Sequence, residues 1–260
     1  MGTGEIRTVN KQVKSRQRVI DHGEVFTSDR EVQAMCNLVK QETERIDSRF
    51  LEPACGDGNF LSVILERKLA TVSKKYKRSP YDWERNSLLA LGSIYGVDIM
   101  LDNVITCRER LFDIWNKAYK KACKKECNED TRKSAQFILR LNIVCGNALT
   151  LLCCDDKSNE LGVPIIFSEW TFPFNDARMQ RKDYTLAGLL AMNDDTPVTG
   201  KSKNTNTDCI QIDTDEEGHF LQQYISHYRR IQNDDTRLEN ESPPSGLHRE
   251  GDVVNDEQDD

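Results

Sequence analysis

Up to about residue 190 the apolar positions follow two rhythms in turn. Val25 to Ser28 is a short extended piece, and Ser28 or Thr27 can cap a helix running to about Glu44. Val32, Met35, Cys36 and Val39 share one face of that helix. Arg49 to Glu52 is short, ends at Pro53 and reads as a buried strand opening into a glycine loop. Helical spacing returns through Phe60, Val63, Ile64 and Leu65, over Asn59 to about Ala70, and again over Tyr81 to Leu91. Ser93 to Asp98 predicts a second buried strand. Leu101 to about Lys125 predicts a charged helix with Val104, Leu111, Ile114 and Ala118 as its stripe, and Thr131 to Leu139 a further helix. Asn142 to Cys145 reads as a third strand and Pro164 to Phe167 as a fourth. Strands alternating with helices argue an α/β fold with a parallel sheet and crossover helices.

Beyond residue 191 the rhythm fails. The stretch from Met192 to Glu217 is polar and without sustained periodicity, and the end of the chain, SPPSGLHREGDVVNDEQDD, reads as disordered. Between them, His219 to Ile231 has the spacing of an isolated amphipathic helix. The chain thus divides into a polar, basic arm over 1–20, a body over 21–190 and a tail over 191–260.

Charge sharpens that division. The 260 residues carry a net charge of −7, but residues 1–150 sum to +6 and residues 151–260 to −13. This pairs a mildly basic body with an acidic tail. The longest apolar stretch, Leu88 to Val97, is broken by Gly92, Ser93 and Gly96 and is far short of the ~20 residues a membrane helix needs. The N-terminus has no apolar core of a secretory signal. Nine cysteines without an export signal are read as reduced thiols, and the chain as cytoplasmic.

The informative residues are Phe50 to Leu61, FLEPACGDGNFL. A strand delivers the chain into a loop where Gly56 and Gly58 let backbone approach a ligand. Asn59 opens a helix whose N–H groups face that ligand. It is not the dinucleotide fingerprint, because two glycines are present and acidic Glu52 precedes them.

This string resembles the cofactor loop of S-adenosylmethionine-dependent DNA methyltransferases of the adenine-N6 type, found in modification subunits of restriction-modification systems and in stand-alone enzymes. Three further segments match in order over roughly residues 20–175. Gly23 to Ser28 resembles the family's N-terminal segment that touches the methionine part of the cofactor. Tyr95-Gly96-Val97-Asp98-Ile99 resembles its second-strand motif, and Asn142 to Leu149 the motif after its third strand. The resemblance implies a Rossmann-like class I methyltransferase sheet and S-adenosylmethionine as cofactor. Thr27, Glu52, Pro53, Ala54, Cys55, Gly56, Gly58, Asp98, Ile99 and Asn147 would bind it. Glu52 would hold its ammonium directly or through water, and the N–H groups from Ala54 to Gly58 its carboxylate. Asp98 would accept from the ribose hydroxyls, Ile99 would pack on the adenine, and Asn147 would accept from the adenine amine. Thr27 and Asp98 have a second reading as helix caps. Gly58 to Asp98 spans 40 residues, where a simple βαβ unit has ~20, and the helix around Tyr81 to Leu91 takes up the excess.

The family's catalytic motif follows the fourth strand and reads Asn/Asp/Ser-Pro-Pro-aromatic. Two carbonyls accept the hydrogens of the target amine and localise its lone pair, while the aromatic stacks on the flipped-out base. Here the corresponding segment is Ser168-Glu169-Trp170-Thr171-Phe172, without either proline. Ser168, Glu169 and Trp170 occupy the catalytic position, or mark a degenerate, inactive site. The later strands of the family's sheet and a DNA-recognition region have no clear counterpart after the fourth strand. The expected partners are therefore double-stranded DNA and a protein that supplies specificity or completes the fold, with no membrane. The rival readings are an inactive cofactor-binding scaffold and a methyltransferase with a non-DNA substrate. No metal is expected: Cys123 and Cys127 read as a reduced helix face. The lysines between Lys117 and Lys133 read as a solvated face or a phosphate contact.

Overall fold

The structure is a computed structural model, which describes residues Arg18, Ile20, 27–191 and 221–234. The basic arm, apart from Arg18 and Ile20, lies outside the described residues. So do the 23–26 segment and the tail over 192–220 and 235–260.

Ser28 caps helix α1 (Asp29–Leu38) through a capping box with Glu31. The expected single helix to Glu44 breaks at Val39, whose ψ of 39 leaves the helical region, and α2 (Lys40–Glu44) follows. Val32 and Cys36 are buried while Met35 and Val39 are exposed, so the apolar face is narrower than its spacing suggested. Strand β1 (Phe50–Glu52) enters the glycine loop, and α3 (Asn59–Tyr76) leaves it. Helix α4 (Pro80–Gly92), capped by Ser79, leads into β2 (Ile94–Asp98). Helices α5 (Leu101–Cys123) and α6 (Glu129–Asn142) precede β3 (Ile143–Asn147).

β1, β2 and β3 are parallel neighbours in that order. Their continuation departs from the expected parallel sheet. Four residues, 148–151, separate β3 from β4 (Leu152–Cys154), and Leu151 takes a φ of 62 at the turn. A parallel crossover needs a dozen or more residues, so β4 returns antiparallel, as does β5 (Glu160–Pro164). The result is a mixed five-stranded sheet with helices. The fourth strand expected over Pro164 to Phe167 is divided: Pro164 ends β5, while Ile166 and Phe167 open β6 (Ile166–Thr171), which belongs to a second, antiparallel sheet with β7 (Arg178–Thr185) and β8 (Gln222–His227). A short helix, α7 (Leu186–Ala191), follows β7.

The helix expected over His219 to Ile231 is corrected by β8. Within it Tyr224 and Ser226 turn partly inward at period two, and the open edge of β7 pairs Arg178 to Asp183 with it. The segment is pinned beyond the strand by Glu84. This carboxylate, 1% exposed, accepts from Tyr119, from Thr131 Oγ1 at 3.2 Å, from Tyr228 at 2.6 Å and from Arg229 Nη2 at 2.6 Å.

Successive strand side chains face opposite sides. Ile94 joins the main core with Leu61, Ile64, Leu65, Trp83, Trp115 and Ile138, whereas Tyr95 and Val97 join a smaller core with Ile165, Phe167 and Leu186. Among the described residues no helix is long and apolar enough to cross a membrane.

Candidate functional site: a cleft at the ends of three parallel strands

β1, β2 and β3 all point their C-terminal ends at one cleft of about 510 Å³. Nine of the ten residues expected around a cofactor line it: Thr27, Glu52, Pro53, Ala54, Cys55, Gly56, Asp98, Ile99 and Asn147.

The loop is held in place by backbone bonds. Cys55 N–H donates to Val97 O at 2.9 Å, and Gly58 N–H to Cys55 O at 2.9 Å. Gly56 and Gly58 have φ of 52 and 82, a region that strains other residues. Gly58 does not line the cleft. A Cβ there would meet Cys107 Sγ at 2.6 Å, so its role is the close approach of α3 and α5. Asn59 Nδ2 donates to Thr27 O at 2.7 Å, which fastens the segment before α1 to the loop.

Asp98 is buried at the end of β2. Its Oδ2 accepts from Gly56 N–H at 2.9 Å, and its Oδ1 from Met100 N–H at 2.8 Å and Asn103 Nδ2 at 3.2 Å. It therefore ties loop, strand and helix together as well as facing the cleft. Asn147 is similarly engaged: Nδ2 donates to Glu160 at 2.9 Å and Oδ1 accepts from Leu149 N–H. Glu52 differs. It is half-buried, forms no ion pair among the described residues, and burial raises its pKa while the Ala54 N–H opposes the shift. Met35, Phe60, Met100 and Leu149 add apolar surface. Phe60 and Leu149 lie within the motif segments but were given no role there, Met100 follows Ile99 directly, and no motif marks Met35.

Ser168, Glu169 and Trp170 go elsewhere. β6 starts where Ile165 meets Gly146 at the end of β3, and it finishes where Trp170 packs on Gly92 before β2. It runs against β1, β2 and β3, so its last residues arrive at the opposite end of the sheet from the cleft. Ser168 is fully buried and donates to Asp183 Oδ1 at 2.5 Å, within the buried Arg181–Asp183 pair. Trp170 is 3% exposed, edge-on to Phe137. Glu169 pairs with Arg49 at 2.9 Å and accepts from Tyr184. Glu169 and Trp170 line a separate cavity of about 630 Å³ at that end, Ser168 does not reach it, and none of the three lines the cleft. The departure from the expected catalytic placement follows from the reversed strand direction.

The eight described cysteines are free thiols, and no described cluster of three or more His, Cys, Asp or Glu could hold a metal ion. No family model, no curated protein and no solved structure matches the chain at a significant level.

Proposed function

We propose that this chain binds S-adenosylmethionine in the cleft at the ends of β1, β2 and β3. Its reaction is methyl transfer to DNA, of the adenine-N6 type its motifs resemble, within a restriction-modification or defence system. The three strands and their helices are then the first half of a Rossmann-like class I methyltransferase sheet, in a cytoplasmic protein. The observation that carries this reading is Glu52. A half-buried carboxylate that has no cationic partner among the described residues, beside a glycine loop, is suited to an ammonium, and burial strengthens that attraction. The loop N–H groups suit the cofactor carboxylate. Asp98 Oδ2 retains one lone pair for a ribose hydroxyl beyond the three bonds the carboxylate already accepts.

One observation favours a second reading, a cofactor-binding subunit whose acceptor site is supplied by a protein partner. Ser168 and Trp170 are committed to the core, away from the cleft. In that case the partner provides the groups that hold the target amine and stack on the flipped base.

Titration calorimetry with S-adenosylmethionine tests the cofactor directly. Binding by the wild type and its marked weakening in Glu52→Gln are expected, and an unresponsive wild type overturns both readings. A labelled methyl-transfer assay on duplex DNA then separates them. Transfer by the chain alone supports an enzyme. Transfer only after a partner is added supports the subunit.

A further inference from the structure

Helices α3 and α5 leave a groove between them on the outside of the molecule. Its volume is about 720 Å³. Leu69, Ile114, Ala118 and Ala122 form its floor, and Trp83 closes it from α4. The rim is basic. Lys117 and Lys121 stand one turn apart on α5, Lys124 follows them, and Lys77 faces them from the end of α3. All four are exposed, and none forms an ion pair among the described residues. Glu66 supplies a single carboxylate to the lining.

An apolar floor between unpaired lysines selects an occupant that is both apolar and anionic. Phosphodiester backbone meets the lysines but gains nothing from the floor. The chain's own last ten residues, Gly251 to Asp260, have both properties. Asp252, Asp256, Glu257, Asp259 and Asp260 surround Val253 and Val254, and no Lys or Arg is present. Asp252 follows Asp234, the last described residue, by 18 positions in the sequence. A ligand on the same chain binds intramolecularly, at an effective concentration of roughly millimolar order for a short flexible linker.

We infer that Asp252 to Asp260 docks in cis in the groove between α3 and α5. Val253 and Val254 lie on the apolar floor, and the carboxylates pair with Lys77, Lys117, Lys121 and Lys124. The tail thereby masks this basic groove from other polyanions.

The test is a zero-length carbodiimide cross-link of the full chain at low ionic strength, mapped by mass spectrometry. Links within one chain from Lys117, Lys121 or Lys124 to the last nine residues are expected, and they should vanish at high salt. Links spread equally to Lys40 and Lys133, or formed only between two copies, overturn the inference. Acetylation of lysines gives a second reading, on a full chain whose five terminal carboxylates are changed to Asn or Gln. Labelling of Lys117, Lys121 and Lys124 should rise several-fold, with Lys40 and Lys133 unchanged; equal labelling in both proteins overturns it. A short DNA duplex should protect these lysines only in the neutralised chain. Equal protection in both proteins would make the groove a nucleic-acid site instead.

Discussion

Gly56 N–H donates to Asp98 Oδ2 at 2.9 Å, so the carboxylate at the end of β2 holds the loop that leaves β1. Through this one contact, two segments 42 residues apart form adjacent walls of the cleft. Replacing Asp98 by Ala removes the acceptor of three donors. A loss of about 1–3 kcal/mol in stability is expected, read by thermal or denaturant unfolding. Cofactor affinity should fall at least about tenfold in calorimetry, since the loop is no longer preorganised.

The proposed ammonium contact at Glu52 requires the ionised carboxylate. Burial raises its pKa, so protonation begins above the ordinary value of 4.5. Affinity for S-adenosylmethionine should therefore decline as pH falls, starting at a higher pH than a solvated carboxylate would give. The Glu52→Gln protein should show weak binding without that dependence. Calorimetry at a series of pH values checks both, and a flat wild-type profile would remove Glu52 from the contact.

Gly58 combines a φ of 82 with a Cβ position 2.6 Å from Cys107 Sγ. Gly58→Ala should cost more than about 1 kcal/mol. Part of that loss should return in the Gly58→Ala, Cys107→Ala pair, because the thiol clash is relieved while the backbone strain stays. A double-mutant cycle on unfolding free energies measures the coupling, and strict additivity would refute the packing role.

Glu84 links three helices to the strand at 222–227. Glu84→Ala leaves Arg229 and two buried tyrosine hydroxyls without their acceptor, and should cost about 3–5 kcal/mol. Tyr228→Phe removes one bond and should cost about 1 kcal/mol. Hydrogen exchange in Gln222 to His227 should accelerate far more in the first variant than in the second.

The legible part of the chain was local. Helical spacing marked α3, α4, α5 and α6, because each buries one stripe. The strand, glycine loop and helix from Phe50 to Leu61 were legible because backbone with φ of 52 and 82 calls for glycine. Eight of the nine cleft residues could be named because they sit within a few residues of three strand ends, and parallel neighbours bring those ends together; Thr27 was named from the resemblance of Gly23 to Ser28.

Sequence alone thus determined α3 to α6, the first three strands and the loop between β1 and α3, all through contacts near in the chain or through backbone strain. Tertiary structure decided the rest. Gln222 to His227 is compatible with either periodicity, and the open edge of β7 made it a strand. The direction of β6 depends on the short return after β3 and on pairing with β7 and β8, which no local spacing encodes. That direction carried Ser168, Glu169 and Trp170 away from the cleft, because a strand fixes the end to which it delivers its last residues.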